Sequence, residues 1–333
     1  MTADQRREQS PADISVVIPS YDRTELALDT VRSVIAQSVP VREIIIVANG
    51  GDDHAAFWQA QCGGIVRVVR ERARGQQAAR SSGIKAATSS WVALLDDDDL
   101  YLPNFIESVL PAIEDGRADI VATDHRKFRA DWVDRETNFE SAPPGYWKGL
   151  RPRDRNVAWS FLGKFPLHLL LKRIPIYPST TVIRRDFALQ IGGFDPRMLG
   201  VRSEDVEFLI RALTYGKLSL VWRPLVQYRL HAGNLTGDRA ARVIGKWRVF
   251  EFARRNHPHL PEYFRRALDR DLSVRRLHIA HLAREAGDAD LFEEIWSELH
   301  PFYRTSGLLP LFAMLTNVVR RARRVGSRVA RLP

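Results

Sequence analysis

Short apolar, β-branched runs alternate with amphipathic stretches through the first 125 residues. Ile14-Ser15-Val16-Val17-Ile18 ends at Pro19 and reads as a buried parallel strand. Behind a Thr24 N-cap, Glu25 to Gln37 carries Leu28, Val31, Val34 and Ile35 at helical spacing. Glu43–Val47, closed by Asn49-Gly50-Gly51, is a second strand and Val66–Val69 a third. A helix over Gly75–Ala87 follows, then strands at Trp91–Leu95 and Asp119–Ala122. Short loops in this order predict an α/β fold, a doubly wound sheet of largely parallel strands. Ligands of such sheets sit beyond the carboxyl ends of the strands, where Pro19, Asn49 and Asp96 fall, so these three should converge.

The pattern changes further on. His125 to Pro178 is irregular, and its Trp132, Trp147 and Trp159 either pack this insertion on the sheet, the favoured reading, or stack on sugar rings. Ser179–Ile183 reads as a strand, Gly192-Gly193-Phe194-Asp195 as a turn and Glu204–Leu213 as a helix led by acids. Ser219–Trp222 and Val226–Leu230 read as two short strands. From about Arg239 the spacing is helical only. The expected organisation is therefore a disordered N-terminus (1–13), an α/β domain (14–238) and a helical C-terminal region with a basic tail (239–333).

Composition narrows the class. The apolar fraction, 45%, is that of a globular protein. One cysteine, Cys62, excludes an internal disulfide and a cysteine-rich zinc site, in keeping with a cytoplasmic setting. No apolar run is long enough for a spanning helix. The net charge of +10 is concentrated at the end: after Glu298 come seven arginines and no acid. With the apolar Leu308–Leu315 ahead of them, these suggest peripheral attachment to an anionic membrane surface, at the inner face of the cell membrane. Nucleic acid is not the expected partner, because the aromatics are not interleaved with the arginines.

Candidate chemistry centres on Asp96-Asp97-Asp98-Asp99, directly behind the apolar Trp91–Leu95. Four successive carboxylates repel one another, and nothing in the run supplies a counter-charge. A divalent cation carrying a polyphosphate at a strand end accounts for them. An EF-hand does not, since Tyr101 stands where that loop needs glycine.

Six segments carry a resemblance: Val17–Arg23, Arg74–Ile84, Leu95–Asp99 with Pro103, Gly192–Asp195, Glu204-Asp205 and Tyr228–His231. In this order and spacing the chain resembles family 2 glycosyltransferases of the GT-A fold, a Rossmann-like mixed sheet with helices on both faces. The resemblance implies inverting transfer of a sugar from a nucleotide diphosphate donor to an acceptor hydroxyl, with Mn²⁺ or Mg²⁺ as cofactor. It places Asp98 on the metal with His231 nearby, and Asp96 and Asp97 beside the nucleotide. Pro19, Ser20, Tyr21 and Arg80 would complete the nucleotide site, Gly193 and Glu204 would approach the donor or acceptor sugar, and Asp205 would be the general base. Where the family has two acids after the second strand, this chain has Ala48-Asn49. Asn49 can still accept from uracil, and a UDP-sugar is the first expectation for the donor. The basic tail, with the peripheral attachment it suggests, adds the expectation of a glycan or lipid-linked acceptor of envelope polysaccharide or glycolipid synthesis. A catalytically silent sugar-nucleotide-binding or scaffold protein at the membrane surface is the competing reading, and only Ala48-Asn49 speaks for it.

Overall fold

The computed structural model describes residues 10–51, 54–154, 156–231, 239–286 and 289–298. The basic tail and its apolar stretch, with residues 1–9, lie outside them. The chain runs β1 (Ala12–Ser20), α1 (Thr24–Ile35), β2 (Val41–Ala48), α2 (Ala55–Cys62), β3 (Val66–Arg70), α3 (Gln76–Ala86) and β4 (Trp91–Leu94). There follow β5 (Leu100–Tyr101), α4 (Phe105–Glu114), β6 (Ile120–Arg129), β7 (Trp132–Val133), β8 (Trp159–Gly163) and α5 (Leu169–Lys172). The described part closes with β9 (Thr181–Arg184), α6 (Arg185–Gln190), α7 (Glu204–Tyr215), β10 (Leu218–Arg229), α8 (Arg239–Asn256), α9 (Glu262–Ala286) and α10 (Ala289–Glu298).

One sheet runs β3-β2-β1-β4-β9-β6-β10-β5, with β7 on β6 and β8 on β10. Strands β3, β2, β1 and β4 are parallel, as the pattern predicts. Beyond β4 the long strands β6 and β10 keep the parallel direction, but antiparallel strands join them. There β9 enters antiparallel between β4 and β6, and β5, β7 and β8 are antiparallel too. Apolar runs report burial on both faces but not strand direction, so the pattern could not distinguish the two. The carboxyl ends of β1, β4, β6 and β10 still meet at one edge, together with the start of β9.

Alternation along β1 divides the core. Val16 and Ile18 face a cluster with α1 and α4, through Val31, Phe105 and Val109. Val17 faces the other cluster, with Ile84 of α3 and Ile210 of α7. Phe250, Phe264, Leu272 and Ile295 of the C-terminal helices belong to that second cluster, so the helical region shares the core of the sheet.

Three boundaries differ from expectation. β1 takes in Ala12 and Asp13, whose carboxylate accepts from Arg42 Nε at 3.1 Å and Ser90 N at 3.2 Å, so these two residues belong to the sheet. β6 runs on to Arg129, carrying Asp124 and His125 into the interior. The two expected strands near the end are one, β10, which pairs with β6 through a register irregularity at Pro224, where a proline has no N–H to donate.

Candidate active site

The edge where β1, β4 and β10 end gathers the acidic run. Leu95 N donates to Val17 O at 3.0 Å and Asn49 N to Ser20 O at 2.9 Å, so Pro19, Asn49 and Asp96 converge. The four aspartates then turn four ways. Asp96 accepts from Arg80 Nη2 at 2.7 Å. Asp97 is buried and pairs with Arg23 Nη2 at 2.8 Å. Asp98 Oδ2 meets His231 Nε2 at 3.0 Å and Arg23 Nη1 at 3.4 Å. Asp99 is fully buried: Ser179 Oγ donates to one oxygen at 2.6 Å and Arg229 N to the other at 3.0 Å. That fourth carboxylate ties β4, β9 and β10 together instead of facing a ligand.

Burial shapes the charges. It lifts Asp97 to about 7, with Asp98 and Asp96 adding and Arg23 opposing. It pushes Asp99 well above the carboxylate range, and Asp98 and Asp96 push in the same direction.

Arg80, 2% exposed on α3, spans the site. Its second nitrogen, Nη1, donates to Glu204 Oε1 at 3.1 Å, so one guanidinium joins the β4 end to the first turn of α7. Its proton is held above the ordinary arginine range: burial works against it, but Asp96 and Glu204 more than compensate. Asp205, next on α7, lines the same cleft. Burial raises its acid to about 7, helped by Glu204 and opposed by Arg80. The helix start is left-handed at Ser203, φ 66°, with no side-chain cap, and the first turn carries the acids Glu204, Asp205 and Glu207.

The cleft encloses about 920 Å³. Asp96, Asp98, Glu204, Asp205, Arg80 and His231 line it from the sheet side, and Arg242 and Lys246 of α8 line it from the other. On its floor His125 meets Tyr177 edge-on with ring centroids 5.1 Å apart, and Tyr228 at 5.6 Å.

Of the expected residues, Pro19, Ser20, Tyr21, Asn49, Asp97 and Gly193 are not part of the cleft's lining. Gly193 is a buried turn position (φ 63°) whose carbonyl accepts from Arg211 Nη2 at 2.7 Å and whose N–H donates to Ala188 O at 2.9 Å, so it serves the end of α6. Asn49 uses its amide on the neighbouring loop, donating to Glu71 O and Ala73 O and accepting from Gly75 N at 3.0 Å. One lone pair on Oδ1 remains for a base. Tyr21 is 61% exposed beside them. Sequence reasoning gave no role to Arg23, though it lies in the quoted motif, nor to Ser179, which meets the acidic run only across a sequence distance of 80.

The donor set suits a cation that shares its coordination. Among the described residues no three ligating side chains cluster. Asp98 Oδ2 and His231 Nε2 stand 3.0 Å apart, an oxygen and a nitrogen donor of types that divalent cations accept.

The structure of Staphylococcus aureus TarS superposes on 90% of this chain and 52% of its own, at TM-score 0.55 and 13% identity, which establishes a GT-A fold. The family model described as Glycosyl transferase family 2 matches residues 15–189, more than half the chain. The chain belongs to that family. Among curated relatives, an uncharacterized glycosyltransferase of Rickettsia felis is 30% identical over 138 residues, 41% of this chain and 22% of the relative. The glucosyl-dolichyl phosphate glucuronosyltransferase of Haloferax volcanii is 30% identical over 187 residues, 55% of this chain and 56% of the relative. The matched stretch thus spans about a fifth of the first and just over half of the second. No helix among the described residues is long and apolar enough to cross a membrane.

Proposed function

We propose that the protein is an inverting glycosyltransferase that moves a sugar from a nucleotide diphosphate sugar, a UDP-sugar first, to an acceptor hydroxyl. The observation that carries this is the Arg80 bridge: it sets Asp205 beside Glu204 and across from the acids of the β4 end.

In this reading the diphosphate lies at the β4 end and the acceptor enters over α7. Asp205, ionised, takes the proton of the acceptor hydroxyl while that oxygen attacks the anomeric carbon from the face opposite the diphosphate. The sugar–phosphate bond breaks in the same step, and its electron pair leaves with the diphosphate. Arg80 orients Asp96 and Glu204 on either side. Asp98 and His231 would hold Mn²⁺ or Mg²⁺, which when bound stabilises the leaving diphosphate as a Lewis acid. Asp97, with Ser20 and the end of β1, would border the ribose or a phosphate. Tyr177 and Tyr228 offer faces on which a sugar ring can lie. The Haloferax relative is named for a lipid-phosphate acceptor, which supports a lipid-linked or envelope glycan acceptor here.

The test is turnover of UDP-sugars with Mn²⁺, beside UDP binding. Asp205→Asn should keep UDP affinity and lose transfer by roughly 10²–10⁴-fold, the span of a general base. Asp98→Ala should abolish the tightening of UDP binding by Mn²⁺. Full activity in Asp205→Asn removes the base, and Mn²⁺-independent binding in the wild type removes the metal.

A further inference from the structure

The wall of the cleft opposite the acidic run holds positive charge that the transfer reaction just described does not use. Arg242 and Lys246 lie one turn apart on α8, and both line the cleft. Like charges at this spacing repel along a helix. Arg275 of α9 joins them; Asp271 and Leu171 O hold its guanidinium in place, and it rests on the Phe250 ring at 5.6 Å. Neither Arg242 nor Lys246 forms an ion pair with a carboxylate among the described residues. On the sheet side Arg80 is matched by Asp96 and Glu204, and Arg23 by Asp97 and Asp98.

The fields converge near Asp205. Lys246 feels Arg275 and Arg242 as repulsion and Asp205 and Asp271 as attraction. Burial is the larger effect and lowers the ammonium to about 8, the state of a cation lacking a full counter-charge. An arriving dianion would restore it.

We infer that Arg242, Lys246 and Arg275 form an anion subsite for a phosphate group of the acceptor, next to the hydroxyl that Asp205 deprotonates. A phosphate fits better than a single carboxylate, because three cations from two helices converge and guanidinium and ammonium groups supply several donors. This rests on Asp205 being the acceptor-side base, which is what makes this wall the acceptor's and not the donor's. The phosphate can belong to a lipid-linked acceptor or to a water-soluble one.

The experiment is calorimetric titration of inorganic phosphate into the full chain, first free and then saturated with UDP and Mn²⁺ so that the donor's place is filled. The UDP-saturated wild type should still bind phosphate. The Arg242→Gln/Lys246→Gln double variant should bind it about tenfold or more weakly, with UDP affinity unchanged, and Lys246→Arg should retain it. Equal phosphate affinity in the double variant overturns the proposal. So does phosphate binding that vanishes when UDP is present, since all anion affinity would then lie in the donor's place. A chain that takes up phosphate through these residues and never binds UDP keeps the subsite and sinks the donor reading instead. Displacement of the phosphate by glycerol 3-phosphate assigns a water-soluble source. Displacement only by phosphatidylcholine vesicles carrying phosphatidic acid assigns a lipid-linked one.

Discussion

Asp96 to Asp99 share a side chain and a neighbourhood, yet each meets a different partner: a buried guanidinium, a half-exposed one, an imidazole, and a serine with a backbone N–H. The last is the structural one. Burial keeps Asp99 protonated far above the usual range. Asp99→Asn therefore preserves its charge state and can still accept from Arg229 N. Asp99→Ala strands Arg229 N, at about 1–3 kcal/mol for an unsatisfied buried group, and leaves Ser179 Oγ only its bond from Asp96 N. Urea denaturation should show the alanine variant several times more destabilised than the asparagine one. In the proposed reaction Asp205 sets the pH dependence. Its acid is raised to about 7, so the base form is scarce below that pH and dominant above it. The transfer rate should climb from pH 6 to a plateau near pH 8, with the midpoint near 7. A rate that is flat across this range would separate the base from Asp205. Ordinary aspartate behaviour, with a midpoint near 4, is what the residue type alone suggests, and only its buried place at the start of α7 changes that.

Among the elements, what was legible followed from periodicity. β1, β2, β3, β4, α1, α3 and α7 fall within a few residues of where apolar spacing puts them, because each buries one consistent face or both. α2 went unread, since Ala55-Ala56-Phe57-Trp58 offers neither a cap nor a stripe. The antiparallel entry of β9 was also hidden, because direction depends on the long segment between β6 and β9 and not on any residue in the strand. The carboxylates of the site were legible as a motif. Their division of labour was not: Arg80 stands 16 residues from Asp96 and 124 from Glu204, and no local pattern marks such a bridge. α3 can hold Arg80 there because Gly83 lets the helix lie directly on β1. A methyl at Gly83 would collide with Val17 and approach Val47. Gly83→Ala should cost about 1–3 kcal/mol in stability and weaken UDP binding through the displaced Arg80, readable by thermal shift with and without UDP.

At the scale of the molecule, the C-terminal helices are bound into the catalytic core. Phe250, Phe264, Leu268 and Ile279 are fully buried in the cluster that also holds Val206 and Ile210 of α7. Gly245 of α8 abuts the carbonyl of Arg202, just ahead of Ser203 and the acids of α7, so closely that a methyl would clash. A chain cut after residue 238 should therefore give insoluble or molten protein. Removing Thr316–Pro333 should leave turnover of a soluble donor intact and release the protein from anionic membranes, measured by co-sedimentation with vesicles. Release without loss of folding is the result that ties the arginines to location.

The stitch between Arg229 N and Asp99 joins positions 130 residues apart, and Arg229 Nε reaches back to Asp98 O as well. A ribosome must therefore complete β10 before the acidic turn acquires its backbone donor. Until then the nascent chain holds the run of carboxylates without the architecture that makes it a binding site. Affinity for a nucleotide thus requires the fold that β10 completes, and such a ligand counts toward the native state. At a hundredfold excess over its dissociation constant it adds about 2.7 kcal/mol of protection against unfolding. A donor-rich cell would keep more of this protein intact than a starved one.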